Sequence, residues 1–561
     1  MALRCLVYLV MAPCCKKDLG EPFGWLLASA AFVGWLVWGP DQVMNGLDYT
    51  QMHHFYKVYL RDALMAGELP LWNPYTLLGR PFLADPEVGA FYPPTWLFIV
   101  LPESVAYWLM VSGHFAIGGW GMSRLARAWG APSMAAIFAG VAFLLSTHFL
   151  GRVQVGLVGF VCTISWWPWA MRVMERFCRR FLMGDLLRLS AVLAVSFMAG
   201  HPHAFWLCGC SFGFYVLPRC FYGSLKSAFF RTVRSYGSLA GSAVVAFALC
   251  AVAFLPLLEL SAESNRLPSK MLASFYSLPM EGLYALFWPV PTWISGGWES
   301  NLYIGVPLAV LGVWQLCCMR RLRSRALLFL AVISLVIALG RKTQVFDLVY
   351  PIVPMMERFR LNHRFAMFLV FALILGSAIF WRRGRLPLHT VRWVSAGVIA
   401  LSVTLLLFRW HIFPFWLAAL GGLAGGLIVW RWRLGVGRYA FAGWVVLWSI
   451  DYLPLIAKYR DEFRAAAPSS FTTANDFPAD VQRQLAAITG VAPLRIFAPY
   501  EVLKANSGME NGYSLVIGYV ALTSSRVWNY LHLMAGRRPG ELQLTGVDPE
   551  VFQGGPCPYP D

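Results

Sequence analysis

The sequence predicts an all-α polytopic protein that crosses a membrane about thirteen times. Three observations predict this class. The chain of 561 residues is 58% hydrophobic and only 13% charged, with a mean hydropathy of +0.58, unlike a soluble domain. Apolar runs of roughly 20 residues, the length of one bilayer crossing, recur along the chain. Lys and Arg gather in short clusters between alternate runs, as the positive-inside rule requires of loops on one side.

Hydropathy places the predicted spans along most of the chain. They lie at 22–40, 104–122, 133–150, 155–171, 186–200, 203–218, 236–258, 302–318, 326–340, 364–381, 391–408, 411–430 and 438–457. If the N-terminus is cytoplasmic, every loop predicted on the inner side is basic, as the clusters at 172–180 and 320–325 illustrate. Moving one boundary across the membrane would break this alternation. The pattern therefore predicts a multi-pass protein of a cytoplasmic membrane with its N-terminus inside.

Polarity divides the chain into three parts. Residues 1–21 are expected to be a cytoplasmic lead-in, and residues 22–458 a multi-helix membrane domain whose first outer loop spans 41–103. Residues 459–561 are expected on the outer side. Two strand-like stretches there, PLRIFAP and SLVIGYVAL, predict a small α/β segment.

Charge and cysteine content exclude several other classes. The net charge of +18 does not indicate a nucleic-acid partner, because most Lys and Arg lie in the short loops that orient membrane helices. The 12 cysteines lie mostly within or beside apolar segments and lack paired zinc-binding spacing, so they predict neither a disulfide framework nor a structural metal. No glycine-rich phosphate loop for a nucleotide is found.

The first outer loop begins with an acid close to the membrane surface. Asp48 precedes a stretch, 49–66, that predicts a short amphipathic helix. Asp48 either caps this helix, as Asp before a helical stretch commonly does, or acts as a general base toward a hydroxyl at the membrane surface. Helical spacing puts Tyr49, His53 and Tyr56 on one face, which makes His53 a further candidate in this loop.

A second acidic pair lies further along the same loop. Six prolines between 70 and 94 predict a fixed, irregular path rather than a helix. Asp85 and Glu87 either bind a divalent cation such as Mg²⁺ or Mn²⁺ through carboxylate oxygens or supply a second base. No other cofactor is expected.

Two more outer loops contain polar candidates. His201 and His203 flank a proline in the sequence GHPH, which is either a polar turn or a place where an imidazole binds a phosphate or an acceptor hydroxyl. Glu281 lies among aromatic residues in the loop 259–300. That segment is either an interfacial hairpin or part of an acceptor groove.

One loop predicted on the outer side is basic, although the positive-inside rule places basic loops on the inner side. Between 341 and 364 the candidates for binding a lipid-linked phosphate are Arg358, Arg360 and Arg364, because arginine forms bidentate bonds to phosphate. Arg360 and Arg364 have the i,i+4 spacing of one helical face and are expected to converge. The alternative is that these arginines extend toward lipid headgroups.

Five stretches of the sequence resemble one family. They are GLDYTQMHHFY, GELPLWNPYTLLGRPFLADPEVGAFYPP, AGHPH, ERFRLNHRF and NSGMENGYSLVIGY. Together they resemble bacterial YfhO-type membrane proteins, a family that looks like part of the GT-C glycosyltransferase class. The resemblance implies transfer of a sugar from a polyprenyl-phosphate carrier to an acceptor on the outer face of the bacterial inner membrane. Asp48 stands at the position of the catalytic acid of that family.

The sequence thus predicts a GT-C-like, inverting hexosyltransferase. Asp48 activates the acceptor hydroxyl, and the arginines bind the departing polyprenyl phosphate, where negative charge develops. The expected partners are a polyprenyl-phosphate-linked sugar, membrane lipid and a cell-envelope acceptor, which is a glycopolymer, a lipid or a protein.

Two alternatives belong to other classes. A transporter or lipid flippase would need charged residues inside the spans, which hold few. A non-catalytic protein of envelope-polymer assembly would keep the fold without the chemistry. Replacement of Asp48 separates both alternatives from the enzyme.

Overall fold

The computed structural model describes residues 20–37, 46, 48–221, 225–264, 270, 277–286, 301–318, 322–359 and 361–382, with isolated residues between 444 and 515. These residues are mostly helical. The predicted spans 391–408 and 411–430 lie outside the described residues.

Sixteen α-helices follow one another in the described part of the chain. They are α1 (Gly20–Val37), α2 (His54–Met65), α3 (Leu97–Val100), α4 (Glu103–Ala128), α5 (Ser133–Leu145), α6 (Thr147–Val155), α7 (Val158–Ser165), α8 (Trp167–Arg180), α9 (Met183–Met198), α10 (Pro202–Cys220), α11 (Leu225–Leu249), α12 (Ala251–Ala262), α13 (Val306–Cys318), α14 (Leu322–Leu339), α15 (Val345–Val349) and α16 (Ala366–Phe380).

Two small ribbons complete the described elements. In the first outer loop, β1 (Trp72–Asn73) pairs antiparallel with β2 (Arg80–Pro81). Near the C-terminus, β3 (Arg495–Ile496) pairs parallel with β4 (Ser514–Leu515). The second ribbon falls within the two stretches that predicted strands. The division of the chain into three parts stays a prediction.

Several helices are apolar and long enough to cross a membrane. Among the described residues three pass this test, at Ser133–Val155, Ser324–Lys342 and Asn362–Phe380. A fourth is possible if the bent pair α11 and α12 counts as one span. With the apolar composition, these helices make the chain a helical membrane protein. The predicted number of thirteen spans stays a prediction.

Some predicted helix boundaries are wrong. The predicted span 133–150 matches the candidate span Ser133–Val155, but the chain leaves helical geometry within it at Ser146 (ψ 138°). α6 ends at Gly156 (φ +84°), and a turn at Trp166 divides the rest of the predicted span 155–171 into α7 and α8. The Ser146 hydroxyl donates to the Phe143 carbonyl at 2.8 Å, a local bond that competes with the helix. Hydropathy does not detect these breaks, because apolar residues flank each of them.

The predicted span 236–258 is also wrong as a single helix. α11 and α12 meet at an angle of 97°. Cys250, the residue between them, has φ −115° and ψ 24°, outside the α-helical region. One continuous apolar stretch therefore forms two helices that run in different directions.

Ion pairs join the helix ends that are predicted to face the cytoplasm. The carboxylate of Glu175 accepts hydrogen bonds from Arg179 at 2.5 Å, from Arg219 at 2.6 Å and from the Tyr215 hydroxyl at 2.5 Å. Glu21 in α1 pairs with Arg127 in α4 at 2.7 Å. These contacts join α8 to α10 and α1 to α4 at these ends, and the opposite ends of α4, α8 and α10 lie toward the candidate site.

The first outer loop has the architecture that its sequence predicts. A π-helical turn, Tyr49–His53, leads directly into α2, so the predicted helix over 49–66 is confirmed. The proline-rich part follows an irregular path through β1, β2 and two 3₁₀ turns at Pro86–Val88 and Pro93–Trp96. A small core stabilises the loop. It is formed by six loop residues and one residue from the C-terminal part of the chain: Met52, Phe55, Tyr56, Leu60, Phe82, Val88 and Met509.

Candidate functional site

The candidate site lies around the turn between α6 and α7, where the chain approaches itself closely. A Cβ atom on Gly46 would lie 1.9 Å from the carbonyl carbon of Val155, and one on Gly156 would lie 2.5 Å from the Cβ atom of Tyr49. Only glycine permits contacts this close. The segment that contains Asp48 is therefore packed against the α6–α7 turn.

The start of α7 contacts one further predicted site segment, which in turn contacts another. A Cβ atom on Gly159 would lie 3.1 Å from the carbonyl oxygen of Gly200, in the GHPH turn. A Cβ atom on Gly200 would in turn lie 2.7 Å from the carbonyl oxygen of Pro86, beside Glu87. The structure thus brings the segments of Asp48, Glu87 and His201 together at one end of the helices, although they come from distant parts of the sequence.

Two arginines and a histidine surround Phe160, four residues after Gly156. The guanidinium carbon of Arg152 lies 5.2 Å from the ring centre, and that of Arg364 lies 5.5 Å from it. The ring of His201 meets the same ring edge-on at 5.1 Å. Both arginines are buried, with exposed fractions of 0% and 5%. Two cations on one aromatic ring form a concentrated positive region.

The two predicted histidines have different contacts. Nδ1 of His201 accepts the Ala204 N–H at 3.0 Å and so caps α10. Nδ1 of His203 lies 3.3 Å from Arg364, and its ring stacks on Phe359 at 5.3 Å with an angle of 10°. The first contact fits the interpretation of GHPH as a turn, and the second places an imidazole beside a site arginine.

Asp48 does not cap the helix that follows it. Its side chain makes no capping hydrogen bond, and its own backbone is helical (φ −69°, ψ −33°) rather than extended as in a typical cap. The turn starts earlier, since the Thr50 N–H donates to the Gly46 carbonyl at 2.9 Å. The capping interpretation is therefore wrong. Asp48 is nearly buried, with an exposed fraction of 9%.

His53 faces the protein interior. It is 2% exposed, and its Nε2 atom has no hydrogen-bond partner among the described residues. Burial, with a smaller contribution from Lys57, lowers the pKa of His53 from 6.5 to about 3. The ring is therefore neutral at physiological pH, and neither its burial nor its pKa favours a role in proton transfer.

The neighbouring His54 is the histidine of this helix that meets a carboxylate. Its Nδ1 atom lies 2.8 and 2.9 Å from the two oxygens of Glu103 in α4. The Tyr49 hydroxyl donates to the same carboxylate. Burial first, and then Glu103, raises the pKa of Tyr49, so this phenol remains a protonated donor.

Asp85 is bound within the first loop on both of its oxygens. Oδ2 accepts from Tyr56 at 2.9 Å and from Arg80 at 2.8 Å, and Oδ1 accepts the Glu87 N–H at 3.0 Å. Burial opposes the charge on Arg80, but Tyr56 and Asp85 outweigh it, and the pKa of Arg80 is raised. Such a buried ion pair suits a structural role.

The contacts of Asp85 do not favour a cation on this carboxylate, and a cation site that uses Glu87 stays a prediction. Both Asp85 oxygens already have partners, and a metal would have to displace a buried guanidinium. In the part of the chain that the structure describes, no group of three or more His, Cys, Asp or Glu side chains is placed to hold a metal ion.

The backbone from Leu361 to Phe365, which precedes and includes Arg364, is not α-helical. Arg360 lies outside the described residues, Leu361 has a left-handed backbone (φ +71°), and Asn362–Phe365 is a 3₁₀ turn before α16. The argument from helical spacing is therefore wrong, although Arg364 does reach the site. Arg358 is exposed at the end of a 3₁₀ turn.

The segment that contains Glu281 contacts the end of α14. The backbone of Glu281 is in the 3₁₀ segment Met280–Leu286, just after Leu278, whose N–H donates to the Ala338 carbonyl in α14 at 2.6 Å. The described contacts of this segment thus place it beside the end of α14.

Sequence reasoning missed three residues of this region. Arg152 is a lone charge between apolar stretches, a signal for function in a membrane protein, but the boundary predicted at 150 placed it in a loop. Glu103 was assigned only as the end of a loop, and His54 was passed over for its neighbour. Neither has a sequence signal, because their pairing joins positions 49 residues apart.

A small apolar cavity lies beside Phe160. Its lining includes His148, Phe160, Trp167, Phe368 and Phe371. Nε2 of His148 lies 3.4 Å from Arg152, so the cavity wall and the site share this contact.

Comparison with known proteins gives only distant likenesses. No protein-family model and no curated protein sequence matches the chain. The chain is similar to ArnT from Cupriavidus metallidurans bound to undecaprenyl phosphate, with 12% identity over 89% of this chain and 86% of that one, at a TM-score of 0.47. It is similar to the apo state of ArnT with 14% identity over 88% and 85%, also at 0.47.

A third likeness is weaker. The arabinofuranosyltransferase AftD from Mycobacteria is 18% identical over 75% of this chain and 29% of its own length, at a TM-score of 0.35. Similarity this low in identity and TM-score carries no argument about the reaction. What the described residues define is a class, a helical membrane protein with a buried, arginine-rich site at one end of its helices. The resemblance to YfhO-type proteins stays a prediction.

Proposed function

We propose that this protein is a membrane glycosyltransferase of the GT-C type that transfers a sugar from a polyprenyl-phosphate carrier to a cell-envelope acceptor. The observation that carries the proposal is the meeting of an acid segment and two buried arginines at one turn. Asp48 lies two residues from Gly46, which contacts the end of α6, and Arg152 and Arg364 share the ring of Phe160 just beyond.

The positive region fits a lipid-linked phosphate. Two guanidiniums match the charge that a polyprenyl phosphate acquires when its bond to the sugar breaks. The exposed Arg358 is an expected further contact for the phosphate or for lipid headgroups.

The reaction needs a base on the opposite side of the sugar. In the proposed mechanism the Asp48 carboxylate takes the proton of the acceptor hydroxyl while that oxygen attacks the anomeric carbon. The bond from this carbon to the phosphate oxygen breaks, its electron pair stays on the polyprenyl phosphate, and the configuration inverts. No step requires a metal ion or a nucleotide.

The test is sugar transfer by purified protein with radiolabelled polyprenyl-phosphate sugars and a membrane extract as acceptor. Asp48→Asn is expected to lower the rate by roughly 10²- to 10⁴-fold, the usual contribution of a general base. Asp62→Asn is the matched control, because Asp62 is an exposed acid of α2. Thermal unfolding of each variant verifies the fold.

Equal transfer by wild type and Asp48→Asn would remove Asp48 as the base. Absence of transfer by the wild-type protein with every polyprenyl-phosphate sugar would contradict the proposed activity and favour a transporter or an assembly protein. Lipid translocation in vesicles then separates those two.

A further inference from the structure

One carboxylate at the start of α4 binds both ends of the turn that follows Asp48. Glu103 accepts a hydrogen bond from the Tyr49 hydroxyl, and Nδ1 of His54 lies 2.8 and 2.9 Å from its two oxygens. Tyr49 is the first residue of the π-helical turn and His54 is the residue after its last. The contact therefore spans the whole turn from another helix.

The turn itself has a geometry that needs external support. The His54 N–H donates to the Tyr49 carbonyl, five residues back, as in a π-helix. π-Helical turns are rare and are frequently found at functional sites. Asp48 immediately precedes the turn, so the position of its carboxylate depends on how the turn is held.

We infer that Glu103 is a positioning residue that holds this π-helical turn and so fixes Asp48 against the α6–α7 turn. The inference rests on the proposed function, in which Asp48 is the base. Glu103 reaches Asp48 only through Tyr49 and His54, and is not itself proposed to contact the substrate.

Burial makes this contact difficult to replace. Tyr49 is 0% exposed and His54 is 6% exposed, so both donors are shielded from water. The Tyr49 ring also packs edge-on against Tyr107 of α4 at 4.5 Å. Glu103→Gln removes the charge of the acceptor that both buried donors share, so both hydrogen bonds become weaker. A buried donor without a good acceptor is unfavourable. The turn is then expected to relax toward α-helical geometry and to shift Asp48.

The first test measures the turn and needs no activity. Hydrogen–deuterium exchange of the peptide covering 48–55 is compared in wild type, Glu103→Gln and the control Asp62→Asn, all as full-length protein in detergent. We expect exchange at least about tenfold faster in Glu103→Gln than in the other two, because local opening exposes these amides. Equal exchange in all three would overturn the inference.

The second test measures the consequence for the reaction. Glu103→Gln is expected to lower kcat by about 10- to 100-fold with an unchanged KM for the donor, as misplacement of a catalytic group does. In an Asp48→Asn background the same change is expected to have no further effect. Independent, multiplying effects of the two changes would show that Glu103 acts by another route and would overturn the inference.

The two tests separate failure of the inference from failure of the proposed function. If wild type transfers no sugar, the proposed function fails, and the assignment of Asp48 as the positioned base fails with it. Accelerated exchange in Glu103→Gln would in that case still establish that Glu103 holds the turn. If wild type transfers sugar and Glu103→Gln does so at the same kcat, only the positioning role fails.

Discussion

The Nδ1 atom of His54 lies 2.8 Å from a carboxylate oxygen of Glu103, although 49 residues separate the two. The contact joins the helix that follows Asp48 to the first residue of α4. A loop that the sequence presents as a surface excursion is thereby attached to the helical bundle at its acidic end. The consequences for the site can be tested with single substitutions.

Arg152→Gln tests the positive region. We expect kcat/KM for the polyprenyl-phosphate sugar to fall by roughly 10²-fold, because one of two guanidiniums at the phosphate is lost. Arg152→Lys keeps the charge but loses the planar geometry that forms two parallel hydrogen bonds to phosphate. Its kcat/KM is expected to lie between those of wild type and Arg152→Gln. The control is Arg61→Gln, at a partly exposed position of α2. Unchanged kcat/KM in Arg152→Gln would contradict this assignment.

Gly156→Ala tests the close approach between the acid segment and the α6–α7 turn. Gly156 has φ +84°, and an added Cβ atom would lie 2.5 Å from that of Tyr49. Gly130→Ala is the matched control, since Gly130 also has a positive φ (+94°) but its Cβ atom would meet only the Arg382 side chain. Both changes are expected to lower stability by about 1 kcal/mol or more.

Only Gly156→Ala is expected to reduce sugar transfer, because only that glycine touches the segment that contains Asp48. Measured transfer rates and unfolding temperatures of the two variants verify this difference. A similar rate in both would indicate that the position of the segment does not matter for the reaction.

Asp85→Asn tests whether this acid is structural. The change leaves a buried Arg80 with a weakened partner, and breaking a buried ion pair typically costs about 3 to 5 kcal/mol. A large fall in unfolding temperature is expected, with no effect of Mg²⁺, Mn²⁺ or EDTA on the wild-type value. The opposite result would support the cation site that the sequence allowed. In that case Asp85→Asn would unfold at the wild-type temperature, and a stabilisation by Mg²⁺ or Mn²⁺ seen in wild type would be absent from the variant.

His53 is expected to make the protein sensitive to acid. Its pKa is about 3 in the folded protein and 6.5 when exposed, so between these values the unfolded chain binds the additional proton. The free energy of unfolding is therefore unaffected by the titration of His53 above pH 6.5, and it falls as the pH falls from 6.5 toward 3. At pH 5 the loss relative to pH 7 is roughly 2 kcal/mol.

Replacement of this histidine provides the control. His53→Leu has no such proton to bind, so the fall in unfolding temperature from pH 7 to pH 5 is expected to be smaller than in wild type. Parallel curves for the two proteins would show that His53 is not the group responsible.

The elements that sequence predicted well are those with a local signal. The amphipathic helix after Asp48 and the irregular proline-rich path both formed where expected, since helical periodicity and proline act over a few residues. Helix interruptions at Ser146 and Cys250 were missed, because a single residue that leaves helical geometry does not change the hydropathy of its surroundings.

The candidate site was only partly predictable for the same reason. Asp48, His203 and Arg364 were selected one by one from outer loops by their chemistry. Arg152 was overlooked, and the helical argument for the pair with Arg364 was wrong, because Leu361 turns the backbone to φ +71°. Spacing along a sequence reports a shared face only where the helix is continuous.

Hydropathy and charge asymmetry are sums over many residues, so the sequence alone indicated the membrane class and predicted the side on which the acids and the unexpected arginines lie. Only the tertiary structure decided which of these residues meet. Gly46, Gly156 and Gly200 have no side chain, so other segments can approach their backbones more closely than any other residue would allow. These close approaches join loops that are far apart in the chain. Such complementarity between distant segments is a property of the packed protein, and no local pattern encodes it.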